Sequence, residues 1–573
     1  MRLVLVMLAA GGGAALLPPP QSPAATRPGL TTEQVRELGK RSMCGGAKSA
    51  QDVAVSAPSG ATTTRPVLLS GYGEGGFPVS GANPQAQAYF DNGLQLAHAF
   101  SHDEAVAAMR ESVRLDPGCA MCLWGEAYAT GPTINSDVNE ADAARLAGLI
   151  NRAQRLSRNA PPRERALIAA MAGRYRNGGG GGAGDLAFAR AMDAIAEAEP
   201  ANDALQTLAA DAWMVYAVHS EKEEHFVRAK ALLDRVLTRT PDYVPAIHYY
   251  IHVTEMTGNP GLAERFANRL PTLAPAASHL VHMPSHTFYR IGRYQDAATV
   301  NKRAVEIGAE DTARLGQQPQ EVWNQPYHGH NLHFGIGGAL ISGDSETALL
   351  LSEHVLAAAA GYEEGTPPIF LQMVTGTALF AQGRFGDPAA VLASDEPAED
   401  RTYIRSYWRY ARGEAAARDG NAAAIRAEIA AMPVLTEGPE TNRYERIAIR
   451  MAQISRLVLE GRAAMLEDRP MVALAAFWRA AQLQERPSFG QLMDPPIFWY
   501  PVRRDVAATL LRLGLHRQAV QEADAVLRDW PREPMTLATR AAAQQALGQV
   551  AAARADDRLA RIGWRGDPRA LLR

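Results

Sequence analysis

Cysteine is nearly absent from this 573-residue chain. Three residues, Cys44, Cys119 and Cys122, are too few for a disulfide-stapled scaffold. Cys119 and Cys122 form a lone C-x-x-C, with no second pair and no following histidine of the kind that c-type haem attachment needs. One bridge, from Cys119 to Cys122 or to Cys44, is expected in an exported chain; a soft metal site of Cys119, Cys122 and Glu126 is the other reading. An excess of one charge is absent too. Against 61 acidic side chains stand 58 basic ones, a net −3, so nucleic acid and anionic membrane are not expected as partners. Aromatics are 7% and alternating Val/Ile/Thr-rich runs are scarce, which favours a helical protein over a sheet-based one. Beyond Leu17 no run reaches the ~18 apolar residues of a membrane span, so no transmembrane segment is expected in the mature chain. HExxH, a P-loop, a Gly-rich dinucleotide turn and G-x-S-x-G are all missing, which argues against the common zinc-peptidase, nucleotide and serine-hydrolase chemistries.

The opening "MRLVLVMLAAGGGAALLPPPQSPAATRPG" has one Arg, an apolar run from Leu3 to about Leu17, and then a Pro/Ala/Ser stretch. That is signal-peptide order. It predicts export, to the periplasm or beyond, with residues 1–25 removed. Residues 26–84, rich in Gly, Pro, Ser and Thr, are expected to form an irregular arm.

A fixed period follows. "RIGRYQDAATVNKRAVE" has a Gly-x-Tyr-x-x-Ala turn and a following helix; setting Gly292 at position 15 of a 34-residue unit makes Ser278 position 1 and Ala297 position 20. Stepping back by the same period reaches Val244, with Gly258 at 15 and Ala263 at 20, and then Ala210, with Ala217 at 8 and Ala229 at 20. Similar units begin at Gly329, Tyr500 and Pro534. The pattern resembles the tetratricopeptide repeat (TPR), whose small residues let two helices approach and whose pairs bury their apolar stripes on one another. The resemblance implies an all-α, TPR-like solenoid, a right-handed superhelix of helix-turn-helix units. The expected parts are 85–205 (N-terminal TPR-like helices with a Gly-rich loop), 206–363 (central repeats) and 364–573 (C-terminal repeats). "RNGGGGGAGD" (176–185) reads by composition as a flexible loop tip.

In TPR proteins the concave wall is lined mainly by positions 2, 5, 9, 12 and 13 of the first helix. On that register "HYYIHVTE" puts His248 at 5, His252 at 9 and Glu255 at 12. "HLVHMPSHTFY" puts His279 at 2, His282 at 5, His286 at 9 and Tyr289 at 12, and "HNLHF" puts His330 at 2 and His333 at 5. Helical geometry agrees independently, because imidazoles at i, i+4 share a face and can share a metal ion. The expected ligands are therefore His248, His252, Glu255, His279, His282, His286, His330 and His333, around one or two ions of copper, zinc or iron. Glu255, as ligand or general base, and Tyr289, as proton donor, are the catalytic candidates. A polar pocket for a peptide or small acid, and a purely structural network, are the competing readings.

Pro284 sits among these histidines. Within a helix it removes a hydrogen bond at a cost of roughly 3 kcal/mol and disfavours helical geometry at Met283. The stretch "ARLGQQPQEVWNQPYH" (313–328) is expected either to fold over the groove, delivering Tyr327 or His328, or to be a connecting helix. His98 faces the groove several repeats away, and His102, His219, His225, His354 and His516 read as surface or packing residues.

The three histidine segments together resemble a group of predicted exported bacterial TPR proteins. That resemblance implies architecture and the weight of the cluster, and no reaction. Two functions follow: a metalloenzyme, oxidative with copper or iron and hydrolytic with zinc, acting on a small-molecule or peptide ligand in the groove; or an exported scaffold whose groove and C-terminal repeats bind a peptide or protein partner.

Overall fold

A computed structural model of the chain describes residues 65–176, 181–325, 327–361, 367–486 and 495–572. Every regular element among these residues is helical. Helices pack on the next in sequence and on the next but one: Pro84–His98 lies on His102–Leu115 and Ala120–Thr130, and His328–Ser342 lies on Ser345–Ala360 and Ile369–Phe385. That neighbour pattern is an α-solenoid built of TPR-like pairs. No described helix is long and apolar enough to cross a membrane.

The register glycines show why the repeat folds as it does. Gly258, Gly292 and Gly343 all have left-handed φ, at 71°, 81° and 73°, and the same holds at Gly514 and Gly548, 34 residues apart. Each ends a first helix in a conformation that a side chain resists. Gly292 is pinned twice, since a Cβ there would sit 2.0 Å from the Pro531 carbonyl oxygen.

That contact belongs to a long-range closure. Tyr294 Oη donates to Pro531 O at 3.0 Å, Arg565 N donates to Ser342 O at 2.8 Å, and Gly343 lies under the Trp564 ring. The C-terminal repeats thus return to the central ones. At the other end, Ala276 N donates to Gly71 O at 3.0 Å and Gly73 is pressed against Val244, which lays the described part of the arm along the central helices.

Two local expectations differ, and between the two readings of the cysteines the structure decides for the bridge. The Val244 unit has short turns, Pro260–Ala263, Glu264–Ala267 and Leu270–Leu273, in place of a full second helix, because Pro260 and Pro271 each remove a backbone donor. Of the Gly-rich stretch, 177–180 lie outside the described residues, and the helix Gly181–Ala198 already starts within it; Asp185 at its end is buried against Arg174 at 2.7 Å. Cys119 and Cys122 are joined as a disulfide, and Glu126 pairs with Arg110 and Arg145 at 3.1 and 3.3 Å. The soft site is therefore not formed: its sulfurs are bonded to each other and its carboxylate is neutralised. Cys44 and residues 1–25 lie outside the described residues.

Candidate metal centre

Four segments carry the centre. Val244–Met256 presents His248 and His252 one turn apart. Ser278–His282 and Pro284–Arg290 present His279, His282 and His286, and His328–Ser342 presents His330. The break at Pro284 is slight: Met283 keeps α geometry (φ −50°, ψ −37°) and donates to His279 O at 2.9 Å. The proline's bias against a helical predecessor is overridden because Met283 is fully buried and held by its neighbours. With Pro284 at the first position of the new turn, its missing N–H costs little, so both turns stay nearly in line.

The imidazoles meet as two groups of three: His248, His252 and His279, and His282, His286 and His330, each with its ligand atoms within 4.8 Å of one another. In the first, His248 Nε2 is 3.1 Å from both His252 Nε2 and His279 Nε2. In the second, His282 Nε2 is 3.0 Å from His286 Nε2. Two ligands held about 2.0–2.1 Å from one ion at about 90–100° would have that separation. All six rings are 5% exposed or less. The groups are neighbours, with ring centres 5.8 Å apart at His279 and His282 and 5.9 Å at His252 and His286.

The far side of the rings fixes which nitrogens are available. His248 Nδ1 donates to the His98 carbonyl at 2.6 Å. That carbonyl ends the helix Pro84–His98 and has no partner within it. Asn301 Nδ2 donates to Ala297 O at 2.7 Å, which turns its Oδ1 toward His282 Nδ1 at 2.6 Å. His286 Nδ1 lies 2.9 Å from Glu255 Oε2, and Arg290 Nε donates to the other Glu255 oxygen at 3.1 Å. In each neutral ring the proton is thus on Nδ1 and the lone pair on Nε2. In the second group the two Nε2 atoms face one another at 3.0 Å, where one cation, a proton or a metal ion, would serve both. Burial pushes the His248 pKa down to about 3, with the neighbouring imidazoles adding to the effect, and burial first, then the other imidazoles, holds His279 well below the ordinary histidine range. A proton is therefore poorly held at those two rings of the first group.

The repeat register organises the groups. Each takes positions 5 and 9 of one unit and position 2 of the next: His248 and His252 with His279, then His282 and His286 with His330. His333 occupies position 5 of the third unit, where position 9 is Gly337. It is buried but lies in neither group, because its unit lacks the i+4 imidazole. Glu255 also lies outside both groups and holds His286 from behind. Tyr289 is buried one turn beyond His286, its ring 5.0 Å from Tyr294 and 5.8 Å from Phe334.

A phenylalanine touches each group. Phe100 lies 4.5, 5.9 and 5.0 Å from the rings of His248, His252 and His279, and Phe334 lies 5.1, 4.8 and 5.0 Å from those of His282, His286 and His330. Phe100 has a left-handed backbone, φ 57°, as does Tyr327, φ 66°, whose ring is 4.5 Å from His279. Such conformations cost of order 1–3 kcal/mol each, and here both occur against one imidazole. No sequence pattern singles out Phe334, Asn301 or the His98 carbonyl. The only sequence signal for Phe100 was its place between a helix end and Ser101, where glycine is usual. The 313–328 segment does deliver Tyr327 and His328: its turn Pro319–Asn324 leads into His328–Ser342, and Asn135 Nδ2 donates to Tyr327 Oη at 3.3 Å. His98 proves adjacent, its ring 3.3 Å from Tyr249 Oη.

No family model and no curated protein matches this chain. Among solved structures it is similar to the human IFIT1 dimer with PPP-AAAA, at 13% identity over 84% of this chain and 91% of that one, with a TM-score of 0.27. It is also similar to the P58(IPK) TPR domain, at 12% identity over 61% and 91% with a TM-score of 0.19, and to yeast Tom70, at 9% identity over 70% and 86% with a TM-score of 0.24. Likenesses of that strength bear on neither the site nor the function, so the functional reading rests on the six histidines themselves.

Proposed function

We propose that the two histidine groups bind a pair of copper ions, and that the protein is an exported dinuclear copper enzyme oxidising a small substrate with dioxygen. The observation that carries this reading is the pair His282 and His286: two Nε2 atoms 3.0 Å apart, each ring held by a partner on its Nδ1. The donor set selects among metals. Three imidazoles and no carboxylate in either group disfavour magnesium and calcium, and they disfavour the carboxylate-rich pattern of di-iron helical proteins. Six neutral donors in a buried site also add no negative charge, so ions of low charge, such as copper(I), are the least costly to bury there.

Three protein ligands would leave each ion room for a further ligand, and the groups are close enough that one small molecule could be held between them. Glu255, ion-paired to Arg290, would raise the basicity of His286 from outside the ligand set, the carboxylate–histidine arrangement that strengthens metal sites. Tyr289 is the nearest phenol on the same helix face and the candidate proton donor. A peptide clamp is disfavoured, since all six rings are 5% exposed or less and an extended peptide could not reach them. Export is supported by the N-terminal pattern and by the Cys119–Cys122 disulfide. The C-terminal repeats, where they are not packed on the centre, remain the place for a protein partner.

Tag-free protein loaded anaerobically with copper(I) is expected to hold two ions, to consume oxygen once a reductant is supplied, and to lose one ion in each of His248→Ala and His282→Ala. Two tightly held zinc ions that resist replacement by copper would transfer the reading to hydrolysis. Substoichiometric metal, unchanged by either substitution, would end it.

A further inference from the structure

We propose that the small acidic pocket beside His279 is the port through which metal cations reach the first histidine group. This rests on the metal reading above. The pocket has about 30 Å³ of room and is lined by Tyr72, Glu104, His279, Asp311, Tyr327 and His328, among others. A water molecule needs about 10–15 Å³ by the same measure, so the space admits one or two waters or a partly hydrated ion and no organic molecule. Its wall carries two carboxylates from elements far apart in sequence, Glu104 on His102–Leu115 and Asp311 on Tyr294–Arg314. The cation facing them is Arg314, which donates to Asp311 from the surface at 2.9 and 3.2 Å.

The second observation is His328. It is 2% exposed, lines the pocket, and has no hydrogen-bond partner on either ring nitrogen. A buried imidazole with two unsatisfied nitrogens is costly to keep unless something passes or binds there. His279 belongs both to the pocket wall and to the first group, and no residue of the second group lines the pocket. The arrangement runs from carboxylates through a free imidazole to a ligand imidazole, which is a path of increasing nitrogen character suited to shedding water from a transition-metal cation. Tyr327 and Phe100 form the corner at its inner end, their ring centres 6.3 Å apart and each packed on His279.

The test separates rate from capacity. Copper(II) uptake by the full chain is followed by stopped flow as quenching of tryptophan fluorescence, and final stoichiometry by elemental analysis after dialysis. Glu104→Gln with Asp311→Asn is expected to slow uptake about ten-fold at low ionic strength, to converge on the parent in high salt, and to reach the same final stoichiometry. His328→Leu is expected to slow uptake in high salt as well. Arg314→Gln, which removes the competing cation, is expected to accelerate uptake, a change that partial misfolding does not mimic. Parent-like rates in the double variant and in His328→Leu would overturn the port while leaving the metal centre intact. A final stoichiometry reduced by one in the double variant would overturn it too, by making the carboxylates ligands. A parent that binds no metal would overturn the underlying reading and the port together.

Discussion

Asn301→Leu isolates one histidine group from the other. Asn301 is fully buried, and its Oδ1 is the acceptor that holds the His282 proton on Nδ1 at 2.6 Å. Leucine is close in shape and removes that acceptor. In the metal-free protein the loss is partly recovered: the His282 proton can move to Nε2 and be donated to His286 Nε2 at 3.0 Å, while Ser285 Oγ, 3.4 Å away, can donate to the vacated Nδ1. Without that shift a buried N–H left unpaired would cost about 1–3 kcal/mol, so the metal-free variant is expected to lose less than about 1 kcal/mol of stability. Metal binding must reverse the shift and expose the unpaired N–H. Removing such a partner of a ligating histidine lowers metal affinity about 10–100-fold, equivalent to about 1.4–2.7 kcal/mol. Competition titration against a chromophoric chelator should show one equivalent unchanged and one weakened by that factor. In a His248→Ala background, which keeps only the second group, the weakening should appear in the single remaining equivalent. Equal weakening of both equivalents, or of neither, would refute the assignment of Asn301 and the separateness of the groups.

Glu255→Gln keeps a hydrogen-bond acceptor for His286 but removes the charge, so the second ion should bind about ten-fold more weakly at unchanged stoichiometry, measured by the same titration. Phe100→Ala removes the ring shared by the first three imidazoles; core truncation of this kind costs about 3–5 kcal/mol, partly offset by easing the left-handed backbone, and metal should leave the first group faster than the second in chelator-exchange kinetics. Burial raises the Asp211 pKa from 3.8 to about 6 despite the hydrogen bond from Tyr128 Oη at 2.9 Å. The folded state therefore holds this proton more tightly than the unfolded one, so the contribution is fully present below about pH 4 and is lost as pH rises through 6, by up to about 3 kcal/mol. Asp211→Asn should remove that slope from urea-denaturation midpoints measured between pH 4 and 7; an unchanged slope would refute the assignment.

What was legible in the sequence was periodic. The 34-residue spacing located turns whose glycines prove left-handed at Gly258, Gly292 and Gly343, and the same register placed seven histidines on one wall. What was not legible comes from closure. The His98 carbonyl, Phe100 and the Glu104 carboxylate arrive from the first helical pair, about 150 residues or more before their partners, and no local pattern encodes which main-chain carbonyl will face an imidazole. Asn301 lies on a second helix, the side of each unit that the groove register ignores. Position 12 points inward and predicts Glu255 facing the ions, yet the one-turn offset from His252 leaves it behind His286 and within reach of Arg290.

The repeat logic also explains why the centre has two groups and not one or three. A solenoid brings position 2 of each unit beside positions 5 and 9 of the unit before it, so any two consecutive units with histidine at those places create one three-nitrogen group, and a third unit creates a second group beside the first. Val244, Ser278 and Gly329 open three such units. The series ends because position 9 of the third is Gly337, where the backbone meets Pro495 and the Tyr289 phenol at 3.4–3.6 Å from a Cβ position. A Cβ there would be in ordinary van der Waals contact with both. The ladder thus stops at two rungs because the third unit has glycine where the first two have their second imidazole, beside the point where the returning C-terminal segment packs on Tyr289.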